Sequence, residues 1–88
     1  MDSRMLRNDQ EIEMLTINEI RALPMVASAN EWKDRIYINL RSNGGNFAGE
    51  RNSKIWVREG VLTVEMGKGS TSREWYANLQ ALRAIFKD

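Results

Sequence analysis

The sequence predicts an α+β fold: a short N-terminal helix, a three-stranded antiparallel sheet and a C-terminal amphipathic helix packed on one sheet face. Three observations carry this prediction. Residues 35–41 alternate polar and apolar, two strand-like runs meet at Glu59-Gly60, and Trp75, Leu79, Leu82 and Phe86 recur at helical spacing. With 88 residues there is room for one small core and no second domain.

Residues 1–11 are polar and without apolar periodicity, so they are expected to form a frayed lead to a single domain over 12–88. Thr16 and Glu19 have the spacing of a capping box, in which each side chain satisfies a backbone N–H at a helix start, and Leu15 and Ile20 stand where a hydrophobic staple would clamp the entry. Pro24 disfavours a helical Leu23 and keeps that helix short. Ser28 and Glu31 repeat the capping spacing, which predicts one further helical turn over 29–33. From Arg35 to Arg41, Ile36, Ile38 and Leu40 point to one side and Arg35, Tyr37, Asn39 and Arg41 to the other, the pattern of a half-buried strand.

Residues 42–53 hold Gly44, Gly45 and Gly49 among Asn43, Asn46 and Asn52 and show no sustained period, which predicts a long flexible connection or a loosely paired ribbon. Beyond it, Glu59-Gly60 suits a two-residue type I′ turn. That turn sets Arg58 opposite Val61, Val57 opposite Leu62, Trp56 opposite Thr63, Ile55 opposite Val64 and Lys54 opposite Glu65. Ile55, Val57, Leu62 and Val64 then share one face, an agreement that a one-residue slip would destroy. Thr71 with Glu74 predicts the cap of the C-terminal helix, whose apolar stripe should lie on that face.

Two absences narrow the chemistry. Without Cys there is no disulfide, thiolate nucleophile or Cys-ligated metal, and without His the usual general base and commonest transition-metal ligand are missing. The carboxylates show no convergent pair, and Asp9, Glu11 and Glu13 are expected to be solvated rather than to hold a cation. A non-enzymatic protein with no cofactor and no metal is therefore expected. No apolar run approaches the roughly 18–20 residues that span a bilayer, and residues 1–10 are too polar for the apolar part of a signal peptide, so the chain is expected to be cytoplasmic and free of membrane.

Net charge is +1 but uneven: residues 1–20 hold Arg4 and Arg7 against Asp2, Asp9, Glu11, Glu13 and Glu19, leaving the remainder basic. The outward side of the predicted sheet carries Arg35, Tyr37, Asn39 and Arg41 on one strand and Lys54, Trp56 and Arg58 on another. Cations for phosphates alternate there with aromatic faces for bases, the two ingredients a nucleic-acid surface needs. Lys68, in the Gly67-Lys68-Gly69 turn before a helix start, is a further candidate for a phosphate, although the turn lacks the P-loop pattern.

Three antiparallel strands backed by a C-terminal helix are similar in architecture alone to the DNA-binding modules of plant AP-type transcription factors and of phage integrase arms. The run Met66-Gly67-Lys68-Gly69 before an aromatic helix resembles the end of the single-stranded-DNA-binding transcriptional coactivators, with Ser70-Thr71-Ser72 intervening where that family continues as strand. Neither likeness assigns a family. The expected function is a small nucleic-acid-binding accessory module acting through Arg35, Tyr37, Asn39, Arg41, Lys54, Trp56, Arg58 and Lys68. The alternative is a protein-interaction module, a homodimer or a small regulator docking on a partner protein through the same face.

Overall fold

Four strands, one more than the sequence predicts, form an antiparallel meander in a computed structural model that describes residues 15–43 and 46–86. In chain order the elements are α1 (Ile17–Arg21), β1 (Val26–Trp32), β2 (Arg35–Leu40), α2 (Ala48–Asn52), β3 (Lys54–Arg58), β4 (Val61–Glu65) and α3 (Arg73–Phe86), with sheet order β1-β2-β3-β4. The frayed lead expected over 1–11 lies outside the described residues. Among those described, no helix is long and apolar enough to cross a membrane.

The N-terminal helix is the short, capped turn that its sequence specifies. Glu19 N–H donates to Thr16 Oγ1 at 3.1 Å, and Thr16 N–H donates to Glu19 Oε1 at 2.8 Å, closing the capping box. Ile20 from this helix is fully buried.

The added strand occupies the place where Ser28 and Glu31 predicted a helical turn. β1 pairs with β2 from Val26↔Leu40 to Trp32↔Arg35, with a bulge between Val26 and Ser28. The bulge adds one residue, so that Val26 and Ala29, three apart, both face the core, while Ser28 and Glu31 lie within the strand and cap no helix. The hairpin between β1 and β2 turns at Lys33-Asp34, where Lys33 adopts φ 57°, a left-handed conformation in a residue that does not advertise it.

The second hairpin follows its predicted register at every pair, from Arg58↔Val61 to Lys54↔Glu65. Glu59 at φ 53° and Gly60 at φ 81° give the type I′ signature, whose twist matches that of the flanking strands. Ile38, Leu40, Ile55, Val57 and Leu62 from one sheet face meet Trp75, Leu79, Leu82 and Phe86 of α3 in a single core.

Where a long flexible connection or loosely paired ribbon is expected over 42–53, residues 48–52 are helical. This helix, α2, is held against the segment leading into α3: Gly49 N–H donates to Ser70 O at 2.9 Å and Gly67 N–H to Ser53 Oγ at 2.8 Å. Gly49 permits a close approach of α2 to this segment. A Cβ on Gly49 would lie 2.6 Å from Gly69 O, and Gly69 itself sits at φ 116°.

Candidate nucleic-acid interface

The parity of the strands brings six of the eight candidate residues onto the face opposite α3. Tyr37 pairs with Trp56 in the register, Arg35 and Asn39 flank Tyr37 on β2, and Lys54 and Arg58 flank Trp56 on β3. The remaining two go elsewhere. Arg41 lies beyond β2 and its Nε donates to Pro24 O at 2.9 Å, while Lys68 stands in the bend before α3.

Trp56 faces outward but is not an open stacking surface, which corrects the expectation from its parity. It is only 8% exposed although it stands outside the core cluster. Its cover is local: the Arg35 guanidinium sits 4.6 Å from the ring centroid and the Tyr37 ring lies 5.9 Å away at 49°. Arg35 Nη1 also donates to Tyr37 Oη at 3.2 Å, so Arg35, Tyr37 and Trp56 brace one another. A cation over a shielded indole face is worth about 1–2 kcal/mol, which favours the covered state.

The ring presented to solvent is Trp32, which the helical prediction for 29–33 concealed. It is 58% exposed, tilted against Tyr37 at a centroid distance of 6.4 Å, with Lys33 Nζ 4.7 Å from its centroid. Trp32, Tyr37 and Trp56 thus form a descending series from open to covered across β1, β2 and β3.

Beside that series the sheet parts. β2 and β3 pair only at Ile36↔Val57 and Tyr37↔Trp56; the same register would continue to Ile38↔Ile55 and Asn39↔Lys54, which do not pair. An open groove follows the parting, lined by Trp32, Tyr37, Asn39, Ser53 and Lys54. Asn39 Nδ2 donates to Ser28 Oγ at 2.9 Å, which fixes the amide with its oxygen uncommitted by that bond. Charge on this face is mixed: Arg58 Nε is 2.8 Å from Asp34 Oδ2, and Lys54 stands opposite Glu65. Both members of the Arg58–Asp34 pair are more than half exposed, so the pair contributes little to stability.

The anion site imagined at the start of α3 is already filled from within the chain. Ser72, not Thr71, is the N-cap: its Oγ accepts from Trp75 N–H at 3.0 Å. The reciprocal half of a capping box comes from α2, because Glu50 Oε2 accepts from Ser72 N–H at 2.7 Å and from Ser42 Oγ at 3.4 Å. A carboxylate thus sits at the helix N-terminus, where the dipole favours it and where a phosphate would be repelled.

Partial burial pushes the Glu50 carboxyl up, but the bonds from Ser72 and Ser42 together outweigh it and hold the group below its ordinary value. A carboxyl depressed in the fold stabilises fully above the ordinary glutamate range, and that contribution fades as pH falls through the lowered value. Glu50→Gln should therefore cost roughly 1 kcal/mol at neutral pH, and the difference from wild type should shrink in acid. Urea midpoints at both pH values check this; a gap independent of pH would remove the charge from the explanation.

Comparison with protein-family models, with curated proteins and with solved structures finds no match to this chain.

Proposed function

We propose that this protein binds unpaired nucleic acid across the open side of its sheet, with Trp32 and Tyr37 as stacking surfaces and Lys33, Arg35 and Lys54 toward the phosphates. The observation that carries the proposal is the exposed, cation-flanked Trp32 tilted against Tyr37 in the lining of a groove that Lys54 also lines. Trp56 supports from beneath, orienting Arg35 and Tyr37. Arg58 adds charge at the margin, tempered by Asp34. Stacking asks only for a π-face, which every base has, so the surface fits a flexible single strand better than the edge-reading of a duplex.

Fluorescence anisotropy of a labelled single-stranded oligonucleotide, titrated at several salt concentrations, tests this. Affinity should fall linearly on a log-log plot, with a slope of about −0.7 per phosphate engaged, and Lys54→Ala should flatten it. Trp32→Ala should weaken binding by about 5- to 150-fold, the equivalent of one stacked base at 1–3 kcal/mol. Absence of binding at low salt would end the proposal. Binding of full strength in Trp32→Ala would displace it to another surface.

A further inference from the structure

The outward face of the sheet is a lattice whose rows are set by the strand register. Asn30, Tyr37, Trp56 and Thr63 make one row; Ser28, Asn39, Lys54 and Glu65 would make the next, except that β2 and β3 part between Asn39 and Lys54. Asn39 therefore stands two residues beyond Tyr37 on the same side of β2, about 6–7 Å along the strand. It lines the groove together with Tyr37 and Trp32. Its side chain is exposed yet held in orientation, because Nδ2 donates to Ser28 Oγ across the β1–β2 ladder at 2.9 Å. That bond uses one amide hydrogen and leaves the second hydrogen and the carbonyl oxygen to a ligand. A flat ring stacked on Tyr37 would bring its edge to these two groups.

We propose that Asn39 reads one base of the bound strand and selects adenine there, an inference that rests on the nucleic-acid reading above and adds a sequence preference to it. An amide pairs with a base edge that sets a hydrogen-bond donor beside an acceptor. Adenine offers that combination on both of its free edges, N6–H beside N7 and N6–H beside N1, so the amide can engage it whichever way the base lies on the ring. On the edge remote from Watson–Crick pairing, guanine has two acceptors, cytosine only a donor and thymine only an acceptor. The other polar groups nearby do not discriminate. Lys54 attracts the phosphate of any nucleotide and has Glu65 opposite it on β4. The Ser53 hydroxyl, also in the groove, is already bonded to Gly49 O and to Gly67 N–H. Asn30, the second amide beside Tyr37, stands opposite it on β1 and is not part of the groove lining.

Anisotropy titrations with labelled oligo(dA) and oligo(dT) at the same low salt concentration are the test. The wild type should hold oligo(dA) about 5- to 150-fold more tightly, the worth of one bidentate pair. Asn39→Ala should remove most of that ratio by weakening oligo(dA) alone, since it leaves the stacking rings and the cations in place. Asn39→Asp should do the same, because it keeps the shape but turns an acceptor toward N7 or N1. Ser28→Ala keeps the amide and unfastens it, and should lower the ratio in part, whereas Asn30→Ala should leave it unchanged. Equal affinities in the wild type, or a ratio that survives Asn39→Ala, overturns the proposal and leaves the stacking surface standing. Failure of both oligonucleotides to bind removes that surface, and the preference with it.

Discussion

Replacing Leu79 with alanine is expected to lower the stability of the domain by about 2–5 kcal/mol, a large part of the roughly 4–13 kcal/mol that a chain of this size possesses. Leu79 is 1% exposed at the centre of α3, in the same buried stripe as Trp75, Leu82 and Phe86 that meets the sheet. Alanine is the better helix former, so the loss cannot come from propensity and must come from the vacated space. The control is Ile85→Ala on the same helix, where the side chain is 40% exposed and the cost should stay below about 1 kcal/mol. Equal costs would mean that the 75/79/82/86 stripe is not what holds α3 to the sheet. Urea denaturation with an unchanged slope is the proper measurement, since a changed slope would signal a looser native or denatured state.

The parts of this fold that were legible in the sequence are those where one local rule acts alone. Glu59-Gly60 demands left-handed backbone, and the parity of Ile55, Val57, Leu62 and Val64 then leaves a single register. The Thr16–Glu19 box closes within one helical turn and needs nothing from outside. β1 was lost because two local signals pointed the wrong way together. Ser28 and Glu31 have the spacing of a capping box although both lie in the strand, and its hairpin turns on Lys33-Asp34 with no glycine or asparagine to mark it.

The candidate site was half legible for a related reason. Parity fixes which face a side chain takes but not what lies over it. Tyr37 and Trp56 do share the outward face, yet Arg35 folds back over the indole, and no pattern in the sequence specifies that rotamer. Trp32 followed β1 into the wrong element, although strand parity from Arg35 backwards across the turn would have placed it on the same face. Glu50 and Ser72 are 22 positions apart, beyond the reach of any spacing rule; only the packing of α2 on the approach to α3 brings them together.

That packing supplies the second large effect. Gly49→Ala should destabilise by about 1–3 kcal/mol even though alanine is favoured over glycine in a helix by about 1 kcal/mol. The sign is decided by distance. The new Cβ would meet Gly69 O at 2.6 Å and Ser70 O at 2.9 Å, and both are backbone atoms that no side-chain rotation can move aside. Relief requires α2 to withdraw from residues 67–70, which breaks the Gly49 N–H to Ser70 O bond and carries Glu50 away from Ser72. The two residues should therefore be coupled: once Gly49 is alanine, Glu50→Gln should cost almost nothing further, and the acid sensitivity assigned to Glu50 should vanish with it. A double-mutant cycle at neutral and acid pH measures this directly. Additive costs, or a Gly49→Ala variant as stable as wild type, would show that α2 tolerates separation and that the cap of α3 does not depend on its position.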